Sequence, residues 1–225
     1  MKYIGSKARL AKHFLPIMLP QRKPNQYWVE PFVGGCNMID KVKGARIGND
    51  VNKDLIDLWK ALQEGWEPPK EISYFDYIGA QSSMPSVLRT YIGFMASFSG
   101  KFFGGFARGK GRDYAKEAYQ HLKYQVKYLQ GVEFVSFCYT KLPLPEESFI
   151  YCDPPYKGTL GYQRGFDHEE FYEWCIQKKD EGHPIYISEY KMPKPFKCLL
   201  AVERAASVDL DTGGKVKYER LYTLC

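Results

Sequence analysis

The sequence of 225 residues contains no run of about 18 apolar residues, so no membrane span is expected. Its opening, Met1-Lys2-Tyr3-Ile4-Gly5-Ser6-Lys7, has charges but no apolar core behind them. That argues against a secretory signal and makes the cytoplasm the expected compartment. The six cysteines (Cys36, Cys138, Cys152, Cys175, Cys198 and Cys225) form no CxxC pair, and the four histidines (His13, His121, His168 and His183) stand alone. This scatter argues against a zinc centre or disulfide framework and leaves free, mostly buried thiols. No Gly-x-Gly-x-x-Gly and no Walker A loop occurs, so NAD and ATP fit poorly as ligands. Internal repeats and low-complexity tracts are missing as well.

What is present is ordinary for a folded chain. Hydrophobic residues at 44% and charged residues at 26% exclude a disordered or collagen-like polymer. The length suits one domain carrying an insertion. Lys and Arg number 32 against 26 acids, and the resulting charge of +6 permits a polyanionic partner without requiring one.

The hydrophobic pattern predicts a helix from Lys7 to Met18 capped by Ser6, a strand at Tyr27–Glu30, a tight turn through Gly34-Gly35 and a short helix from Cys36 to Val42. A second strand at Ala45–Asp50 precedes an Asn52-capped helix bearing Leu55, Leu58, Trp59 and Leu62. Such alternation predicts a mostly parallel sheet with helices on both faces. The alternation stops near Glu64. Helices are expected around Leu88–Met95 and Tyr119–Leu129, with Gly131 as the stop, and the stretch 63–131 reads as a small, mainly helical insertion. Strands are then expected at Val132–Tyr139, Ser148–Asp153 and Pro184–Ser188, with a helix started by Asp167 and Glu170 in a capping-box pattern. Two last strands, Phe196–Glu203 and Lys215–Leu224, have no helix between them, only a turn signal at Asp211–Gly214. They should therefore close one sheet edge as an antiparallel hairpin.

Five features can carry chemistry. Asp153-Pro154-Pro155-Tyr156 follows the apolar strand Phe149–Cys152, where ligand sites of open α/β sheets lie. An acid, a carbonyl held by a rigid proline turn and an aromatic ring suit a planar group with an exocyclic amine. The same tetrapeptide is also compatible with a plain proline turn. Glu30–Gly35 either lets backbone approach a cofactor or is a plain strand-to-helix turn. Asp50, an acid after the second strand, can accept hydrogen bonds from ribose hydroxyls or simply cap the next helix. Lys2–Lys7 places a Tyr and a Lys around a glycine. Finally, Ser99–Arg112 interleaves Lys101, Arg108, Lys110 and Arg112 with aromatics and glycines, which suits either phosphate contact and base stacking or a glycine-rich surface loop.

Taken in order, these motifs resemble the Dam-type DNA adenine-N6 methyltransferases, a family often encoded by phages and prophages. Lys2–Lys7 is similar to the family's N-terminal motif at the S-adenosylmethionine site. Pro31–Gly35 is similar to its glycine-rich motif, Asp50-Val51-Asn52 to its acidic motif, and Asp153–Tyr156 to its catalytic motif. One departure is Cys36, where the family often has a final glycine.

The resemblance implies a Rossmann-like methyltransferase sheet at 1–62 and 132–225, with a target-recognition domain at 63–131. It implies methyl transfer from S-adenosylmethionine to the N6 amine of an adenine flipped out of double-stranded DNA, with no metal and no membrane. Tyr3, Lys7, Phe32, Gly34, Asp50 and Asp153 would border the cofactor, while Asp153, Pro154 and Tyr156 would hold the base. Lys101, Arg108, Lys110, Arg112 and Arg164 would contact DNA, with Tyr162 beside Arg164. The same catalytic geometry would serve RNA or the N4 amine of cytosine, and a DNA-binding protein without turnover would share the fold.

Overall fold

The computed structural model describes residues 1–109, 111–157, 165–204 and 217–224. Among the described residues seven strands form one sheet: β1 (Trp28–Glu30), β2 (Arg46–Asn49), β3 (Val132–Val135), β4 (Phe149–Cys152), β5 (Ile185–Glu189), β6 (Lys197–Arg204) and β7 (Lys217–Thr223). Their order is β3-β2-β1-β4-β5-β7-β6. The first five pair in parallel, whereas β7 runs antiparallel between β5 and β6. This is the expected Rossmann-like sheet with an antiparallel edge hairpin. The strand order reverses between β1 and β4, so the loops leaving them part and open a crevice at their carboxyl ends.

Alternation along β4 shows how the sheet is covered. Phe149 and Tyr151 enter one apolar core with Phe14, Leu55, Met95 and Leu122, and Ile150 and Cys152 enter a second with Phe171, Trp174 and Ile187. Every residue of β1, β2, β4 and β5 is buried, as expected of strands covered on both faces. Across the first face Phe149 stacks on Trp28 and Tyr186, with ring centroids 5.1 and 4.9 Å apart.

The helices are α1 (Ala11–Met18), α2 (Lys53–Gln63), α3 (Tyr74–Ser82), α4 (Val87–Met95), α5 (Tyr114–Val126) and α6 (His168–Asp180). Segment 63–131 contains α3, α4 and α5. It does not stand apart, since Tyr77, Tyr91 and Leu122 share the first core with Trp28 and Trp59. Helix α3 was not foreseen. Its signal is local: Ser73 accepts from the Asp76 amide and Asp76 accepts from the Ser73 amide, a complete capping box, but of the apolar side chains that follow only Tyr77 and Ala80 are buried.

Other expectations need correction. Ser6 does not cap α1, which begins only at Ala11. Lys7 is drawn inward to the Gly5 carbonyl and Asp153, and the turn around it delays the helix. Cys36–Val42 holds only one 3-10 turn, Ile39–Lys41, because Cys36 sits at φ 56°, outside helical space. Strand β3 stops at Val135, four residues short of expectation, where Phe137 turns to bond Asn49. Asn52 does cap α2, accepting from the Leu55 amide at 3.3 Å. Asp167 caps α6 by accepting from Glu169 and Glu170, but Glu170 completes no box and instead accepts from Tyr139 Oη at 3.4 Å. The expected turn at Asp211–Gly214 lies outside the described residues.

Candidate active site

At the crevice lies a cavity of about 540 Å³, lined by the ends of β1, β2, β3, β4 and β5 and by the N-terminal segment. The glycine turn forms one wall. It is pinned from below by Trp59, whose indole N–H donates to the Gly34 carbonyl at 3.0 Å while its ring stacks on Phe134. Gly34 takes φ 45°, a conformation disfavoured for side-chain-bearing residues, and a Cβ there would lie 2.9 Å from the Tyr3 ring. Tyr3 thus lies directly on the turn. Cys36 also adopts the left-handed conformation, so it fulfils the backbone demand that a glycine would meet more easily.

Asp50 stands at the end of β2 and joins the two loops. Its carboxylate accepts from the Gly34 amide at 3.1 Å and the Asn52 amide at 2.9 Å. Burial raises its pKa, and those two amides oppose the rise. Beside it Val51 and Phe137 present exposed apolar side chains, and both line the cavity. Phe32 flanks the cavity from the second core, packed against Tyr139, Phe166 and Phe171. This end therefore combines a carboxylate acceptor, close backbone and apolar faces, a donor set that fits a nucleoside-bearing cofactor.

The Asp153-Pro154-Pro155-Tyr156 turn forms the other wall. Asp153 Oδ1 accepts from Ser188 Oγ at 2.9 Å, and Ser188 in turn accepts from Tyr151 Oη at 3.0 Å. Lys7 Nζ stands 2.9 Å from the same Asp153 oxygen. Tyr156 donates to Glu219 at 3.3 Å and meets Tyr190 edge-on, with centroids 4.7 Å apart. Burial pushes the Tyr156 phenol well above its usual pKa, so it stays protonated at neutral pH. Pro154 lines the cavity between Asp153 and Tyr156. Glu30, buried at the floor beneath both walls, accepts from Trp28 Nε1 at 2.8 Å, and burial drives its pKa well above the ordinary carboxylate range. The geometry thus brings together Tyr3, Lys7, Phe32, Gly34, Asp50, Asp153, Pro154 and Tyr156 around one cavity.

Just behind Asp153, Glu189 accepts from the Lys157 and Tyr190 amides. Burial pushes its carboxyl from 4.5 up to about 7, with the two amides opposing and Asp153 adding to the rise. A group that ionises later in the fold than in the unfolded chain favours the fold below its unfolded pKa. That contribution is lost as the pH rises through the folded value. Between pH 4 and pH 8 the protein is therefore expected to lose up to about 3 kcal/mol that Glu189→Gln does not lose. Urea unfolding of both proteins at the two pH values checks this.

The basic loop is only partly available for binding. Lys101 is exposed, and Arg108 is exposed with its guanidinium 4.3 Å from the Tyr74 ring centre. Arg112 is held by Glu117 through two bonds of 2.8 and 2.9 Å, so its charge is locally neutralised. Lys110, Arg164 and Tyr162 lie outside the described residues. Sequence reading missed Ser188, Glu189, Tyr190 and Glu219 as site residues. Only the strand pattern around Ser188 hinted at the first three.

A model of the D12 class N6 adenine-specific DNA methyltransferase family matches residues 3–81. The match covers the N-terminal motif, the glycine turn and Asp50, and it bears out the family resemblance. No curated protein matches the chain. Among solved structures, the crystal structure of TrmN from Thermus thermophilus is similar at 12% identity and a TM-score of 0.43, covering 97% of this chain. The chain spans about half of that structure, 49% of its length.

Proposed function

Taking the match to the D12 class N6 adenine-specific DNA methyltransferases as premise, we propose that this chain methylates the N6 amine of adenine in DNA with S-adenosylmethionine. The observation that carries the reading is the single cavity walled by Asp50 and the glycine turn at one end and by Asp153 and Tyr156 at the other. Asp50 would accept from the ribose hydroxyls, Gly34 and Phe32 would shape the pocket, and Tyr3 would cover it. Bound S-adenosylmethionine would supply an electrophilic methyl group.

An adenine stacked in duplex DNA cannot reach this cavity. It has to swing out of the helix at a cost of a few kcal/mol. Tyr156 would stack on the base, while Asp153 and the Pro154 carbonyl accept its two amine hydrogens. Those bonds pull the nitrogen lone pair out of ring conjugation and aim it along the cavity. Positive charge develops on that nitrogen, so a fixed carboxylate stabilises the transition state more than the bound substrate. Ser188 and Tyr151 hold the carboxylate in place beforehand.

Lys101 and Arg108 would meet the DNA backbone. Arg108→Ala is expected to weaken DNA binding and to reduce the slope of log K against log salt by about 1. Fluorescence anisotropy across a salt series checks this, and an unchanged slope removes the contact. The activity itself is tested by transfer of labelled methyl groups from S-adenosylmethionine, offered unmethylated bacterial DNA and RNA in parallel. Label in DNA supports the reading, label only in RNA moves the substrate, and cofactor binding without transfer leaves a DNA binder.

A further inference from the structure

Lys7 is in an unexpected place for a residue that closes a cofactor pocket. Its ammonium is 2.9 Å from Asp153 Oδ1, 3.8 Å from Glu219 Oε2 and 4.5 Å from the centre of the Tyr156 ring, and it donates to the Gly5 carbonyl at 2.7 Å. The side chain is almost wholly buried. On the proposed function, on which this inference rests, the target amine must bond Asp153 while its ring lies against Tyr156. A cation between that acid and that ring stands where the amine must go, so the two cannot be there together.

The second carboxylate gives the cation somewhere to go. Glu219 comes from β7, whose antiparallel run brings its start back to the carboxyl edge of β5, with Arg220 opposite Glu189. It is buried at 3% exposure and also accepts from Tyr156 Oη. We infer that Lys7 is a displaceable stand-in for the target amine, resting on Asp153 in the free protein and withdrawing to Glu219 when a base enters.

The exchange moves no proton and changes no net charge, since the Lys7 cation stays in the site beside Glu219 while a neutral N–H donor takes its place on Asp153. It also selects the base. An incoming amine restores the donors that Lys7 withdraws, whereas a ring carbonyl would set acceptor against carboxylate and leave Asp153 with no donor in place of its cation. Lys7 is thus a specificity-determining and positioning residue on the base side of the cavity.

The test is a double-mutant cycle of Lys7→Met and Glu219→Gln, read as kcat/KM for bacterial DNA and Kd for S-adenosylmethionine. With Lys7 present, Glu219→Gln keeps an acceptor for Tyr156 but weakens the second berth, so kcat/KM should fall about tenfold. With Lys7→Met in place the same change should cost less than about twofold, and the cofactor Kd should stay within about twofold throughout. Additive losses would overturn the inference, as would a cofactor affinity that collapses in Lys7→Met. Should Lys7→Met not fold, Lys7→Arg grips Asp153 as a fork and should lower kcat/KM about tenfold at unchanged cofactor Kd. An unaltered kcat/KM there overturns the inference too. Absence of transfer by the wild-type protein would sink the proposed function and this inference with it, whereas transfer with additive effects sinks this inference alone.

Discussion

Asp153→Ala is expected to lower methyl transfer to DNA by about a thousandfold while S-adenosylmethionine still binds. The loss is large because the carboxylate acts where charge develops. Removing one preorganised partner of a transition-state charge typically costs about 10²- to 10³-fold, and Asp153 is itself charged. Folding should survive, since Lys7 keeps Glu219 at 3.8 Å and Ser188 keeps Tyr151. Single-turnover transfer and calorimetric titration of the cofactor separate the two effects. Near-normal turnover would remove Asp153 from the chemistry. A variant that loses cofactor binding together with turnover would place its role at the other wall.

The largest effect on stability is expected from Trp59→Ala, at about 3–5 kcal/mol. Trp59 is fully buried, stacks on Phe134 at 6.0 Å and donates to Gly34. Its removal leaves a cavity under the glycine turn and strands a buried carbonyl. Trp59→Phe keeps most of the packing and loses chiefly the hydrogen bond, so it should cost less, with about 1 kcal/mol for the bond itself. Cofactor affinity should fall in both variants because the Gly34 amide that meets Asp50 would no longer be fixed. Urea midpoints and cofactor titrations measure these losses. A Trp59→Ala protein as stable as wild type would show that the turn is held by other contacts.

How much of this was legible in the sequence follows from the range of the interactions. Glu30–Gly35, Asp50 and Asp153–Tyr156 are contiguous, and each follows a strand whose apolar residues announce it. The parallel sheet then gathers the three at one edge without further information. The closing hairpin was legible for the same local reason, since two strand patterns occur with no helix between them. Glu219 was not legible as a site residue. It reaches Tyr156 only because β7 inserts antiparallel beside β5, a pairing between residues more than thirty apart in the chain. Ser188 looked like a plain strand end, and its hydroxyl donates to Asp153.

The motif placed Lys7 at the cavity, but its ion pairs were not legible there, because its partners Asp153 and Glu219 come from the far half of the chain. The Ser6 cap failed for the same reason: a local helix signal lost to a distant ion pair that holds the next residue inward. Arg112 shows the converse. Its basic motif was legible, while the Glu117 that binds it lies five residues on, in a helix whose start the spacing put too late.

The central claim is that the amine bound by Asp153 and Tyr156 is the N6 of adenine in DNA. Its most direct test is nucleoside mass spectrometry of unmethylated bacterial DNA after incubation with the purified protein and S-adenosylmethionine. The account predicts N6-methyladenine, absent when Asp153→Ala replaces the wild type. N4-methylcytosine, or DNA unchanged by a protein that binds the cofactor, would contradict it.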